Sequence, residues 1–223
     1  MTTVMLVHGA FHGSWCFDEV AEALGARGVP VVAPELPLTS NAEDAAVVRR
    51  AIDEADDEIV LLGHSYGGAV ISRAAVGAER VRHLVYLCAL MVEGSDLPPD
   101  SVQTPAFAEA VRMGEEWTSV DPAGARAAFY ADCPPAVAEA SVARLRPMPT
   151  ATLVSMDSGR PAAWRSIPST YVVCTLDQTI HPQSQRAMAA QATESVEWEA
   201  SHSPFLSRPD LVVDLLAALA ARP

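Results

Sequence analysis

The chain has 223 residues, half of them hydrophobic and 19% charged, which suits one well-buried core and is too short for two ordinary large domains. A formal net charge of −13 and a sequence pI near 4.7 set the surface against phosphate backbones and anionic headgroups, so neither a nucleic-acid nor a membrane partner is expected. All 15 basic residues are arginine, and the absence of lysine excludes Schiff-base chemistry and a Walker-type phosphate loop.

In chain order, the first ten residues carry no basic leader and only a short apolar run, which fits neither a secretory signal nor a membrane span. Residues 3–7 read as a buried parallel strand that stops at Gly9 within His8-Gly9-Ala10-Phe11-His12-Gly13. Apolar residues at helical spacing over 17–26 close on Gly28, a suitable C-terminal cap. Residues 29–33 form a second β-branched run ended by Pro34, and Asn41 is expected to cap a helix reaching Ala55. A third strand over 59–62 leads into Gly63-His64-Ser65-Tyr66-Gly67-Gly68 and a small-residue helix through Ala78, and 81–87 is a fourth strand. From 91 to 165 the alternation breaks into proline-rich, polar sequence offering only helical patterns, such as 135–145. It resumes with a strand at 169–174, a helix at 183–192, a strand at 196–199 and a helix at 209–221.

This order predicts an α/β fold with a mainly parallel sheet of about six strands flanked by helices. Residues 1–90 and 166–223 form its core, and 91–165 are a helical cap insertion over the carboxyl ends of the strands, where such sheets bind ligands. Cys16, Cys88, Cys133 and Cys174 show no metal or dithiol spacing and read as buried reduced thiols of a cytoplasmic protein.

The chemistry begins at Gly63-His64-Ser65-Tyr66-Gly67, a G-x-S-x-G pattern with a strand before it and a helix after. A serine hydroxyl is a weak nucleophile unless a sharp turn presents it to a base, and such a turn needs small neighbours. The N–H of Tyr66, at a helix N-terminus, is one oxyanion donor, and Ala10 after the first strand supplies the second, with Phe11 the alternative. His8 and His12 are then structural. His202, in the loop between the last strand and the last helix, is the expected base, whereas His181 before Pro182 reads as a helix cap. Asp177, just beyond the strand at 169–174, is the acid that orients His202, giving the chain order Ser65, Asp177, His202.

With these positions in place the sequence resembles the α/β-hydrolase superfamily. More narrowly, it resembles the small lidded branch of plant methylesterases, hydroxynitrile lyases and bacterial esterases. The likeness is carried by His8 to Trp15, Gly63 to Gly68, Phe129-Tyr130-Ala131-Asp132-Cys133, and Asp177 with Ile180 and Gln185. It implies an α/β core with a helical cap, no cofactor and no metal, and small ester substrates, in a monomer or homodimer. Glu93 and Asp96 are the alternative acids, because some related enzymes place theirs there. Phe11, Trp117, Phe129 and Met148 are candidate pocket residues, with Phe107, Met113, Leu145 and Met156 beside them, though each of those in the insertion, taken singly, reads better as its packing core. Two features depart from the branch. Glu35-Leu36-Pro37-Leu38 replaces the usual Asp-x-x-Gly, and Ser203 and Gly9 stand where the lyases carry a lysine and a threonine. Cyanohydrin cleavage is thereby disfavoured. A receptor on the same fold, or a hydrolase of amides, thioesters or carbon–carbon bonds, shares the pattern.

Overall fold

The computed structural model describes residues 1–93, 103–154 and 161–222. The strands are, in order, β1 (Thr2–Val7), β2 (Val31–Val32), β3 (Glu58–His64), β4 (Val81–Leu87), β5 (Val111–Met113), β6 (Trp117–Val120), β7 (Met148–Pro149), β8 (Ser169–Cys174) and β9 (Glu194–Trp198). The helices are α1 (Asp18–Ala26), α2 (Asn41–Glu54), α3 (Gly67–Ala74), α4 (Pro105–Ala110), α5 (Pro122–Phe129), α6 (Pro135–Val142), α7 (Thr150–Val154), α8 (Pro182–Ala189), α9 (Pro204–Ser207) and α10 (Pro209–Ala220).

Six strands form one parallel sheet in the order β2-β1-β3-β4-β8-β9. The central strands are apolar at successive positions because both sheet faces are covered. Met5, Val7, Leu61, Tyr86 and Val173 pack with Val48, Val70 and Met188 of α2, α3 and α8. The intervening residues Val4, Leu6, Leu62, Val85 and Val172 pack with Leu24, Val212 and Leu216 of α1 and α10. β9 is an exposed edge blunted by Glu194 and Glu197, which pair with Arg222 and Arg186.

Local signals explain most of the ends. α1 closes as expected, with Gly28 at φ +76° and the Val29 N–H donating to the Leu24 carbonyl. Three expectations change. The second strand shrinks to two residues because Pro30 and Pro34 bracket it and bring no N–H to a ladder. Ser40, not Asn41, caps α2, since its Oγ accepts the Glu43 N–H (3.2 Å), while Asn41 is the first helical residue and is buried. The stretch expected to be only helical also carries an antiparallel sheet, β5-β6-β7, with Trp117 opposite Pro149 and Thr118 opposite Met148. Strands of two to four residues are too short to show an alternating pattern. Among the described residues no helix is long and apolar enough to cross a membrane.

Candidate active site

Ser65 follows β3 directly and sits at φ +54°, a left-handed conformation that is strained for a residue with a Cβ. Its N–H reaches the Leu87 carbonyl (3.3 Å), and its own carbonyl accepts from Gly68 and Leu90 (both 3.0 Å), so β4 and α3 hold the turn from two sides. The bend leaves no room for side chains nearby. A Cβ on Gly63 would lie 2.5 Å from the Gly67 carbonyl oxygen, and one on Gly67 would lie 2.6 Å from that of Val7. Gly9 is equally confined, because a Cβ there would meet the Ser65 Cβ at 2.9 Å.

His202 and Asp177 meet across the carboxyl ends of β8 and β9. The His202 Nδ1–H donates to Asp177 Oδ2 at 2.8 Å, with both side chains buried. Asp177 Oδ2 also accepts from Gln185 Nε2 (2.8 Å), and Oδ1 accepts the N–H groups of Thr179 (2.6 Å) and Ile180 (3.0 Å). Four donors thus fix the carboxylate. Gln185 is held in turn by the Cys174 N–H and the Ile180 carbonyl. The His202 backbone is gripped as well, its carbonyl accepting from His64 Nε2–H (2.9 Å) and the Cys88 thiol (3.3 Å). Glu93 is engaged elsewhere, bonding Arg165 (2.6 Å) and the Ala162 N–H, and Asp96 lies outside the described residues.

The turn after β1 is built around two uncharged histidines. The Leu36 N–H donates to His8 Nε2 (3.0 Å), which leaves the proton on Nδ1 for the Gly9 carbonyl (2.9 Å); burial lowers this pKa to about 4. His12 donates from Nδ1 to the Ala10 carbonyl (2.8 Å) and accepts from the Tyr130 hydroxyl at Nε2 (2.8 Å), and burial lowers its pKa to about 3. Phe11 sits at φ +63°, its carbonyl accepting the Arg146 N–H (2.9 Å). The Arg146 guanidinium bonds the carbonyls of His12 and Leu36 and pairs with Glu35 at 2.5 Å. Among the described residues, the N–H groups of Ala10 and Tyr66 take no part in the hydrogen bonding of sheet, helix or turn. The Tyr66 side chain is anchored separately, its hydroxyl donating to Asp44 (2.6 Å).

One cavity of about 70 Å³ gathers these pieces, with Ser65, His202, Ala10 and Tyr66 in its wall. The rest is mainly apolar: Phe11, Leu90, Phe107, Phe129, Leu153 and Ile180. Of the candidate pocket residues, Phe11 and Phe129 line this cavity. Trp117 and Met148 do not. Trp117 is 55% exposed on β6, and Met148 is buried in the packing of β7 against β6. Met113 is exposed too, Leu145 packs against the core, and Met156 lies outside the described residues.

Among the described residues, His64, Cys88 and His202 are the only three metal-capable groups close together, with donor atoms within 4.8 Å. All three are buried, the His64 Nε2–H and the Cys88 thiol both donate to the backbone carbonyl of His202, and burial pushes the Cys88 thiol well above its ordinary pKa, against the thiolate a metal requires. The sequence marked Asp132 only as part of the segment resembling the family and assigned it no role; its Oδ2 accepts the Ser201 N–H (2.8 Å) and the Ser207 hydroxyl (2.9 Å) on either side of His202. Sequence reasoning missed Arg146 and the tie from His64 to His202. Each of these contacts joins segments far apart in sequence, so no local pattern gives its partner. Ser203 Oγ and His64 Nδ1 are buried without a hydrogen-bond partner among the described residues.

The sequence pattern of the alpha/beta hydrolase family matches residues 4–215. The chain is 31% identical over 237 aligned positions to alpha/beta hydrolase nvfD of Aspergillus novofumigatus, covering 96% of this chain and 94% of that one. It is 26% identical to methylesterase 2 of Arabidopsis thaliana, covering 97% and 95%. A solved structure of a pyrethroid hydrolase from Sphingobium faniae JZ-2 superposes with a TM-score of 0.85 at 24% identity, over 100% of this chain and 99% of that one.

Proposed function

This chain belongs to the alpha/beta hydrolase family, and on that premise we propose that it is a carboxylesterase for small esters, with Ser65 as nucleophile, His202 as base and Asp177 as orienting acid. One observation carries the reading: His202, paired with the buried Asp177 at 2.8 Å, shares a pocket wall with a serine on a strained strand-to-helix turn. With Nδ1–H committed to Asp177, the His202 Nε2 is the free basic nitrogen. Ser65 Oγ attacks the ester carbonyl as Nε2 takes its proton, and the N–H groups of Ala10 and Tyr66 receive the developing oxyanion. His202 then returns the proton to the leaving alcohol. Water, deprotonated by the same nitrogen, releases the acid from Ser65. Each oxyanion donor is worth about 3–4 kcal/mol of barrier lowering.

A relative named methylesterase supports small esters as the substrate class, as does the size and apolarity of the cavity. The insertion acts as a cap, contributing Phe107, Phe129 and Leu153 to the wall. A serine at position 203, in a chain without lysine, gives no cation beside His202 for cyanohydrin cleavage. Four free, buried cysteines fit the reducing cytoplasm. The test is hydrolysis of p-nitrophenyl acetate and butyrate by wild type and Ser65→Ala, with fluorophosphonate labelling read by mass spectrometry. Turnover and labelling are expected in the wild type and lost in the variant. Neither signal in folded wild-type protein would overturn the reading.

A further inference from the structure

Two loops matter most to the proposed reaction, the turn at 8–13 and the loop at 200–203, and neither lies in a strand or helix. They come from opposite ends of the chain, so the sheet alone does not tie one to the other. Both are instead held by Tyr130-Ala131-Asp132, which follows α5 directly.

Tyr130 is wholly buried and donates its hydroxyl hydrogen to His12 Nε2 (2.8 Å), and His12 passes a second hydrogen bond to the carbonyl of Ala10 (2.8 Å). The relay has one direction only. Nε2 must accept and Nδ1 must donate, so it needs the uncharged imidazole that burial enforces. Two residues later, Asp132 Oδ2 accepts from the Ser201 N–H and the Ser207 hydroxyl, one on each side of His202, and Ser201 Oγ accepts the His202 N–H (2.6 Å). Between these contacts the Phe129 ring lies 5.9 Å from the His202 ring and 5.7 Å from the His12 ring. A docking contact alone requires none of this convergence on the residues flanking the reacting atoms.

We propose that Tyr130 and Asp132 are positioning residues that set the Ala10 turn and the His202 loop in register with Ser65, making the insertion part of the catalytic scaffold as well as the pocket wall. The inference rests on the esterase reading for its effect on rate, while the mechanical coupling stands apart from it.

The full chain is compared with Tyr130→Phe, Asp132→Ala and Asp132→Asn in four measurements. These are kcat and KM on p-nitrophenyl butyrate, the fluorophosphonate labelling rate, the melting temperature, and hydrogen exchange by mass spectrometry of peptides covering 8–13 and 199–207. Tyr130→Phe and Asp132→Ala are expected to lower kcat about 10- to 100-fold with KM within about threefold, the range that small misplacements of reacting groups produce. Asp132→Asn keeps an oxygen acceptor and is expected to stay within about threefold of wild type. Exchange should rise in 8–13 for Tyr130→Phe and in 199–207 for Asp132→Ala. Folded variants with kcat within about twofold and unchanged exchange would overturn the proposal, as would a rate loss matching only the unfolded fraction. If Asp132→Ala does not fold, Ser207→Ala takes its place by removing one of its two donors. If the wild type neither turns over nor labels, the esterase reading fails, and the exchange measurements alone decide the coupling, with unchanged protection counting against it.

Discussion

Gly67 and Gly28 separate two reasons for a glycine. At Gly67 an added methyl would press on the carbonyl oxygens of Val7 and His8 at 2.6 and 2.7 Å, which are backbone atoms that cannot rotate away. Gly67→Ala is therefore expected to cost about 3 kcal/mol or more, measured by urea denaturation, and to abolish turnover by shifting Ser65. At Gly28 nothing lies within 4 Å, and only φ +76° opposes a side chain, so Gly28→Ala should cost about 1 kcal/mol. Asp177→Asn tests the proposed acid more sharply than removal would. Both carboxylate oxygens accept two hydrogens, so an amide NH2 on either side faces donors and drives His202 toward the wrong tautomer. A kcat loss of about 10⁴-fold with retained fold is expected. At this scale the sequence is readable where a residue's setting is local. The strand and glycines around Ser65 mark the turn, and a loop after a strand marks Asp177 and His202. Nothing local says which way an aromatic or methionine of the insertion faces, which is why Trp117 and Met148 stand away from the cavity. Leu38 is a related case. It sits at φ +60°, a left-handed conformation that favours glycine, with its N–H on Asp44 and its side chain buried.

The elements of the parallel sheet announce themselves because a strand covered on both faces is apolar at successive positions, as in Val4–Val7 of β1, Ile59–Leu62 of β3 and Tyr171–Cys174 of β8. Helix starts are subtler. Ser40 and Asn41 are both good caps by composition, and the choice falls to Ser40 because its extended φ of −162° aims Oγ at the Glu43 N–H, while Asn41 turns inward. Ser40→Ala is expected to lower stability by about 1 kcal/mol, and Asn41→Ala should not reproduce that effect through the cap; a denaturant titration of each reads the difference. The small sheet β5-β6-β7 escapes sequence reading for the opposite reason. Its pairing joins Thr118 to Met148 across two helices, and tertiary contact rather than a run of residues defines it.

Over the whole molecule, buried uncharged imidazoles make stability depend on pH. His8 and His12 have folded pKa values near 4 and 3 against an ordinary 6.5, and His64 is lowered as well, in each case first by burial. Below pH 6.5 the unfolded chain binds protons that the folded chain refuses. The stabilisation is therefore complete above about 6.5 and is lost as pH falls toward 4 and below. Between pH 7.5 and 5.0 the loss should approach about 2 kcal/mol for each of His8 and His12, read by guanidinium denaturation at constant salt, and a flat profile would contradict the burial of these rings. Easing of the −13 self-repulsion acts in the opposite direction but is screened at physiological salt. The strand order carries a consequence for synthesis. β1, β2, β3 and β4 lie side by side and are contiguous in sequence but for their helices, whereas β8 can pair with β4 only after the long insertion has been made and its loop closed. On the ribosome the Ser65 turn can therefore form early, beside a sheet edge still waiting for its last two strands. Until β8 and β9 dock, Ser65 lacks the base proposed for it, so on that reading a partly synthesised chain is kept from reacting by the order in which its strands arrive.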